Sequence, residues 1–206
     1  MAFSYFKNGI TDLIPSNIID FDTLVDLILN NPEDSIINQI RILRIEGNEI
    51  YKKIKQGQKY FTPHSVLRYR KLDGDFFNKN FIDFSGYIFY DLDLNNQLNE
   101  VDNYKNYTIK KYGHLSSLIC KSISGGGVTI GFKIKNKIES INQFNSAISF
   151  ITTNILYKEI DYIDVSLYRV GQPLHITSDP MAFVDFNNEI EVDLVFPSII
   201  EKSIKQ

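Results

Sequence analysis

The stretch Ser85-Gly86-Tyr87-Ile88-Phe89-Tyr90-Asp91-Leu92-Asp93 decides how the rest of the chain is read. An unbroken apolar and aromatic block opened by a glycine is the pattern of a buried β-strand. Side chains alternate across a strand, so Asp91 and Asp93 emerge on one face, close together. Two neighbouring carboxylates repel each other and lose hydration, which is unfavourable unless a proton or cation sits between them. At the end of a rigid strand, such an all-oxygen pair suits Mg²⁺ or Mn²⁺. The plain alternative is a solvated strand end whose acids begin the next turn.

Composition narrows the classes. The chain has 206 residues, 43% of them hydrophobic, which is enough for one domain with a real core. No apolar run approaches the length of a membrane span, and no basic-then-apolar leader opens the sequence, so a cytoplasmic protein with no membrane partner is expected. The lone cysteine, Cys120, excludes an internal disulfide and a thiolate zinc cluster. The three histidines, His64, His114 and His175, are too scattered for a His-rich metal site. A net charge of −3 argues against bulk electrostatic coating of nucleic acid. That charge is unevenly distributed: Arg41 to Lys79 is net +6 and Lys158 to Asp193 is net −6. The imbalance fits a basic groove beside an acidic site, or two solvated surfaces.

Along the chain, Ala2–Phe6 reads as a first strand and residues 22–29 as a helix capped by Asp22. A second helix runs from a cap at Asp34 to about Ile45, and a third covers Glu49 to Lys55. Val66 to Arg70 is a candidate strand in a looped region, and Phe77, Phe81 and Phe84 are read as core. Val101 to Tyr112 is helical, stopped by Gly113. Leu115–Ser122 and Val128–Ile134 are strands joined by Ser124-Gly125-Gly126-Gly127. Ser140 to Tyr157 is an amphipathic helix, and a strand is expected to end at Asp164. Leu174–Thr177, Ala182–Val184 and an alternating segment from Glu189 to Phe196 complete the set. Interleaved strands and helices of this kind give an α+β or α/β class with one mixed sheet. We expect a single domain over 1–206, with an α-rich unit at about 1–80 and a sheet-bearing unit at about 81–200.

Three constellations carry candidate chemistry. Asp91 and Asp93 form the first. In the second, Ser124, Gly125, Gly126 and Gly127 free the backbone for close approach of a ligand, and their N–H groups can cradle phosphate. Thr129 and Lys133 share a strand face with Gly127, and a hydroxyl and an ammonium there suit a triphosphate; a ligand-free glycine turn is the alternative. No Gly-Lys-Ser/Thr follows, so this is not a Walker loop. The third is Asp164, which could join the acid pair, with Arg169 five residues on to neutralise phosphate oxygens; a capping Asp paired with Arg is the alternative. His175 reads mainly as a packed strand residue.

Taken in order, these motifs resemble the archaeo-eukaryotic primase superfamily, the primase-polymerases, and most closely the primase-like N-terminal domains of VirE-type phage and mobile-element proteins. The similarity rests on Ser85 to Asp93, on Ser122-Ile123-Ser124-Gly125-Gly126-Gly127-Val128-Thr129, and on Ile163-Asp164-Val165-Ser166 with Arg169, ending in Thr177-Ser178-Asp179-Pro180. Residues 45–55, rich in Tyr and Lys and followed by Thr62-Pro63, also resemble that branch. The resemblance implies an α+β fold, an RRM-like mixed or antiparallel sheet flanked by helices with an N-terminal helical or α/β unit, and a cytoplasmic role in the bacterial host, in phage or mobile-element DNA replication. It implies Mg²⁺ or Mn²⁺ held by Asp91, Asp93 and Asp164, and a nucleoside triphosphate lined by Ser124, Gly125, Gly126, Gly127, Thr129, Lys133 and Arg169. It further implies single-stranded or primer-template DNA as partner and a replicative helicase on a separate chain. One departure stands out: Thr129 occupies the position where classical members carry a nucleotide-contacting His. That leaves a catalytically degenerate, single-strand-binding accessory module as the second expectation and a metal-dependent nuclease as the third.

Overall fold

In the computed structural model, which describes residues 1–71, 79–94 and 98–195, two four-stranded antiparallel sheets stack with helices on both sides. The first sheet is built from β1 (Ala2–Phe6), β2 (Asn17–Asp20), β3 (Tyr60–Thr62) and β9 (Leu174–His175), in the order β2-β1-β3-β9. The second contains β6 (Tyr87–Asp93), β7 (Leu118–Lys121), β8 (Gly127–Lys133) and β10 (Phe183–Val184), in the order β10-β7-β8-β6. A two-stranded ribbon of β4 (Ser65–Leu67) and β5 (Phe81–Phe84) stands beside them. The helices are α1 (Phe21–Leu29), α2 (Asp34–Ile45), α3 (Ile50–Gln56), α4 (Val101–Tyr112) and α5 (Ile141–Phe150).

Strand alternation along β6 and β8 sorts the core into two layers. Ile88, Tyr90 and Leu92, with Val128, Ile130 and Phe132, pack against Phe144, Ala147 and Ile148 of α5 and Val101 and Tyr112 of α4. On the opposite face, Tyr87 and Phe89 meet Phe3, Phe61 and the α1 residues Leu24 and Ile28. Phe3 stands edge-on to both Phe61 and Phe89, at 5.5 and 6.0 Å between ring centres, so the N-terminal sheet lies directly on the second one. The chain crosses back between them: β9 pairs with β3.

Several sequence expectations shift in detail. The cap of α1 is Asp20, not Asp22: the Asp20 carboxylate accepts the Thr23 N–H at 2.9 Å. At α2 the cap position is Glu33, one residue before Asp34, with no side-chain cap bond. The strand expected over 66–70 is Ser65–Leu67. The helix expected to continue to Tyr157 stays α-helical only to Phe150 and then widens into a π-turn over Ile151–Ile155. Tyr90 meets the helix at this point: its buried hydroxyl donates to the Ile148 carbonyl at 2.9 Å, beside the bond that the same carbonyl accepts from the Ile151 N–H. No strand ends at Asp164; Ile163 makes a single antiparallel bridge to Leu92. The alternating segment from Glu189 supplies one bridge, Ile190 to Ile134. Phe77 and Phe196 lie outside the described residues, while Phe81 and Phe84 pack half-buried against the larger core cluster.

Candidate active-site cleft

The strand β6 runs the full length of β8, with Asp91 opposite Thr129 and Asp93 opposite Gly127. Its apolar half is buried under the N-terminal sheet, and its acidic end emerges where that cover stops. There a cleft of about 400 Å³ opens, lined by Asp91, Asp93, Asp164, Ser124 and Thr129 on one side and by Arg44, Lys52 and Lys55 on the other.

Asp164 reaches the site through the outer edge of β6. An edge strand carries unpaired backbone groups, which must find partners when covered. Here the Asp164 N–H donates to the Asp91 carbonyl at 2.9 Å, beside the Ile163–Leu92 bridge, and the Phe89 N–H donates to Nε2 of His64 at 3.1 Å. The first contact brings a third acid, 71 residues after Asp93, beside the pair. Burial in the cleft pushes the Asp91 carboxyl up to about 6; the negative charges of Asp93 and Asp164 push the same way, while Lys55 and the Thr129 hydroxyl oppose them. Thr129 Oγ1 donates to Asp91 Oδ1 at 3.3 Å. Asp164 is exposed, and its carboxylate accepts the Ser166 N–H at 2.9 Å, closing the short 3₁₀ turn over Val165–Tyr168.

The glycine loop is arranged differently from the bare ledge expected from sequence. Arg44 of α2 lies on it, with Nη1 donating to Ser124 Oγ at 2.6 Å and Nη2 lying 3.4 Å from Asp93 Oδ1. A Cβ on Gly126 would fall 1.9 Å from Arg44 Nη1, so the missing side chain is what admits the guanidinium. Gly125 lies under the stem of Arg41. Arg41 in turn bonds the Ser122 and Ser178 carbonyls and the Thr177 hydroxyl, tying α2 to the loop and to the 177–178 segment. Gly127 serves the strand pairing: a Cβ there would stand 2.2 Å from the Leu92 carbonyl.

Of the residues expected at the site, Asp91, Asp93, Asp164, Ser124, Gly127 and Thr129 therefore line the cleft, while Gly125 and Gly126 sit under two arginines. Lys133 does not line it; four residues along β8 from Thr129, it pairs with Glu189 at 3.3 Å. Arg169 is exposed and also outside the cleft wall. Sequence reading assigned no individual role to Arg44, Lys52 or Lys55; the excess of bases over 41–79 was the signal for them as a group. His175 lines the cleft as well. Burial, with nearby Lys55, pushes its imidazole down to about 4, and its buried Nδ1 has no hydrogen-bond partner among the described residues.

The donor chemistry fits a hard divalent ion in one specific way. Among the described residues no three His, Cys, Asp or Glu side chains are grouped so as to hold one ion by themselves. The Asp91–Asp93 pair, with mutual repulsion that a cation would relieve, matches Mg²⁺ bound through one or two carboxylates and completed by substrate phosphate and water. Comparison of the chain with protein-family models, curated proteins and solved structures finds no match. No described helix is long and apolar enough to cross a membrane.

Proposed function

We propose that the chain is a metal-dependent nucleotidyltransferase of the primase-polymerase kind, acting on single-stranded or primer-template DNA in phage or mobile-element replication. The observation that carries this reading is the meeting of acids from two distant segments, Asp91 with Asp93 and Asp164, with Arg44 of α2 and Lys52 and Lys55 of α3 in one cleft. A site with both signs of charge suits a phosphorylated substrate bound together with a divalent ion. Asp91 and Asp93 would hold Mg²⁺ or Mn²⁺, with Asp164 at the edge of the pair. When bound, the metal would activate the attacking 3′-hydroxyl and stabilise the pyrophosphate leaving group. Thr129 orients the Asp91 carboxylate through its hydroxyl. A replicative helicase on another chain is the partner this role would call for.

The second reading, an inert single-strand-binding module on the same fold, is favoured by one observation: Arg44 already lies over the glycine loop and beside Asp93. Extension of a labelled primer-template with Mg²⁺ or Mn²⁺ separates the two. The transferase reading expects templated extension that Asp91→Asn and Asp93→Asn abolish in folded protein. Salt-sensitive retention of single-stranded DNA without extension under either metal would refute it in favour of the accessory module.

A further inference from the structure

Lys55 differs from every other lysine among the described residues. The others that are partly or fully buried are ion-paired: Lys59 with Glu33, Lys105 with Asp179, Lys111 with Glu159, Lys121 with Asp102 and Lys133 with Glu189. Lys55 is partly buried in the cleft wall, and no described carboxylate lies within 4.0 Å of its ammonium. Drawing an ammonium out of water without an anion is unfavourable, so the arrangement leaves a charge to be matched from outside. Asp91 faces it across the cleft, near enough to feel its charge but beyond ion-pair distance. Arg44 stands on the same side, its side chain only 15% exposed and aligned by Ser124. Both cations come from the helical pair α2–α3 and neither from the sheet. Meanwhile the guanidinium of Arg44 fills the space above Gly126 that a phosphate would need in order to rest on the loop.

We propose that Lys55, with Arg44 beside it, grips the polyphosphate chain of the ligand from the helical side of the cleft, between α3 and the acidic end of β6. The naming of the ligand as a nucleoside triphosphate rests on the transferase reading; the anion site itself does not. An ammonium is a compact point charge that suits a phosphate oxygen, and the Arg44 fork can bond a second one. The polyphosphate then bridges the cationic wall and any divalent ion at Asp91 and Asp93, and the Ser124–Gly127 loop acts as the seat of Arg44.

The test is calorimetric titration of the full chain with inorganic tripolyphosphate in Mg²⁺ buffer. A lost charge-assisted hydrogen bond corresponds to roughly a tenfold or greater loss of affinity, expected for Lys55→Gln and for Arg44→Gln. Lys55→Arg should retain most of the binding, and Lys53→Gln, an exposed lysine on the same helix outside the cleft wall, should leave it unchanged. Thermal melts of each variant establish that it is folded. Wild-type protein that does not bind tripolyphosphate overturns the proposal, as does Lys55→Gln weakening binding no more than Lys53→Gln. Binding through Lys55 by a protein that never extends a primer upholds the anion site and removes only the transferase reading. Extension in which Lys55→Gln leaves the nucleotide KM unchanged removes the anion site alone.

Discussion

Asp91→Asn should make the metal-free protein more stable, and the gain should grow with pH. Burial, reinforced by Asp93 and Asp164, raises the folded-state carboxyl from 3.8 to about 6. A group raised in this way contributes its full stability below the unfolded value, where both states are protonated, and loses it as pH climbs through 6. Above that, the folded protein must carry a charge its surroundings disfavour. A displacement of about two pH units, at about 1.4 kcal/mol each, amounts to about 3 kcal/mol at pH 8. Asn keeps an oxygen for the Thr129 hydroxyl and removes the charge. For a domain of this size that corresponds to a rise in Tm of about 6–12 °C. Thermal melts with a chelator at pH 4, 6 and 8 should show wild type and Asp91→Asn nearly coinciding at pH 4, separating between pH 4 and pH 6, and holding that separation to pH 8. Equal Tm differences at pH 4 and pH 8, or a less stable variant at pH 8, would refute the reasoning. If Asp91 and Asp93 hold the metal as proposed, added Mn²⁺ should raise the wild-type Tm and leave the variant unmoved.

Two further substitutions probe how the site is held. Gly127→Ala places a methyl 2.2 Å from the Leu92 carbonyl and 3.0 Å from Asp93 Cα, so β6 and β8 must part locally. A cost of about 1–3 kcal/mol is expected in urea unfolding, with primer extension falling further than that loss of folding explains. Asp179→Asn removes the charge that balances Lys105, a pair at 2.6 Å with side chains 2% and 6% exposed. Because Lys105 stays buried, the cost should be roughly 3–5 kcal/mol by thermal melts at neutral pH. Lys105→Met combined with Asp179→Asn should recover part of it, since no buried charge then remains unpaired.

The local elements were largely legible in the sequence. Alternation placed β6 and set Asp91 and Asp93 on one face, because the period of a strand is a property of the backbone. The helix Val101–Tyr112 was legible with its Gly113 stop. The edge of β6 was not. Nothing near Asp164 in sequence announces that its N–H caps the Asp91 carbonyl, since that contact arises when an irregular segment covers an unpaired strand edge. The contact at the π-turn after Phe150 was hidden for a similar reason: the hydroxyl that meets the helix there belongs to Tyr90, from another layer.

The sequence by itself determined which residues carry the acids, which glycines lack side chains and where the positive charge is concentrated. Only the tertiary structure decided which bases face the acids. Packing α2 and α3 over the β7–β8 loop brings Arg44 and Lys55 to the cleft, while strand direction carries Lys133 toward Glu189 and the turn after Asp164 leaves Arg169 outside the cleft wall. Charge is a property of composition; the ion pairs and ligands it can form are set by distance, and distance between remote segments exists only once the chain has folded.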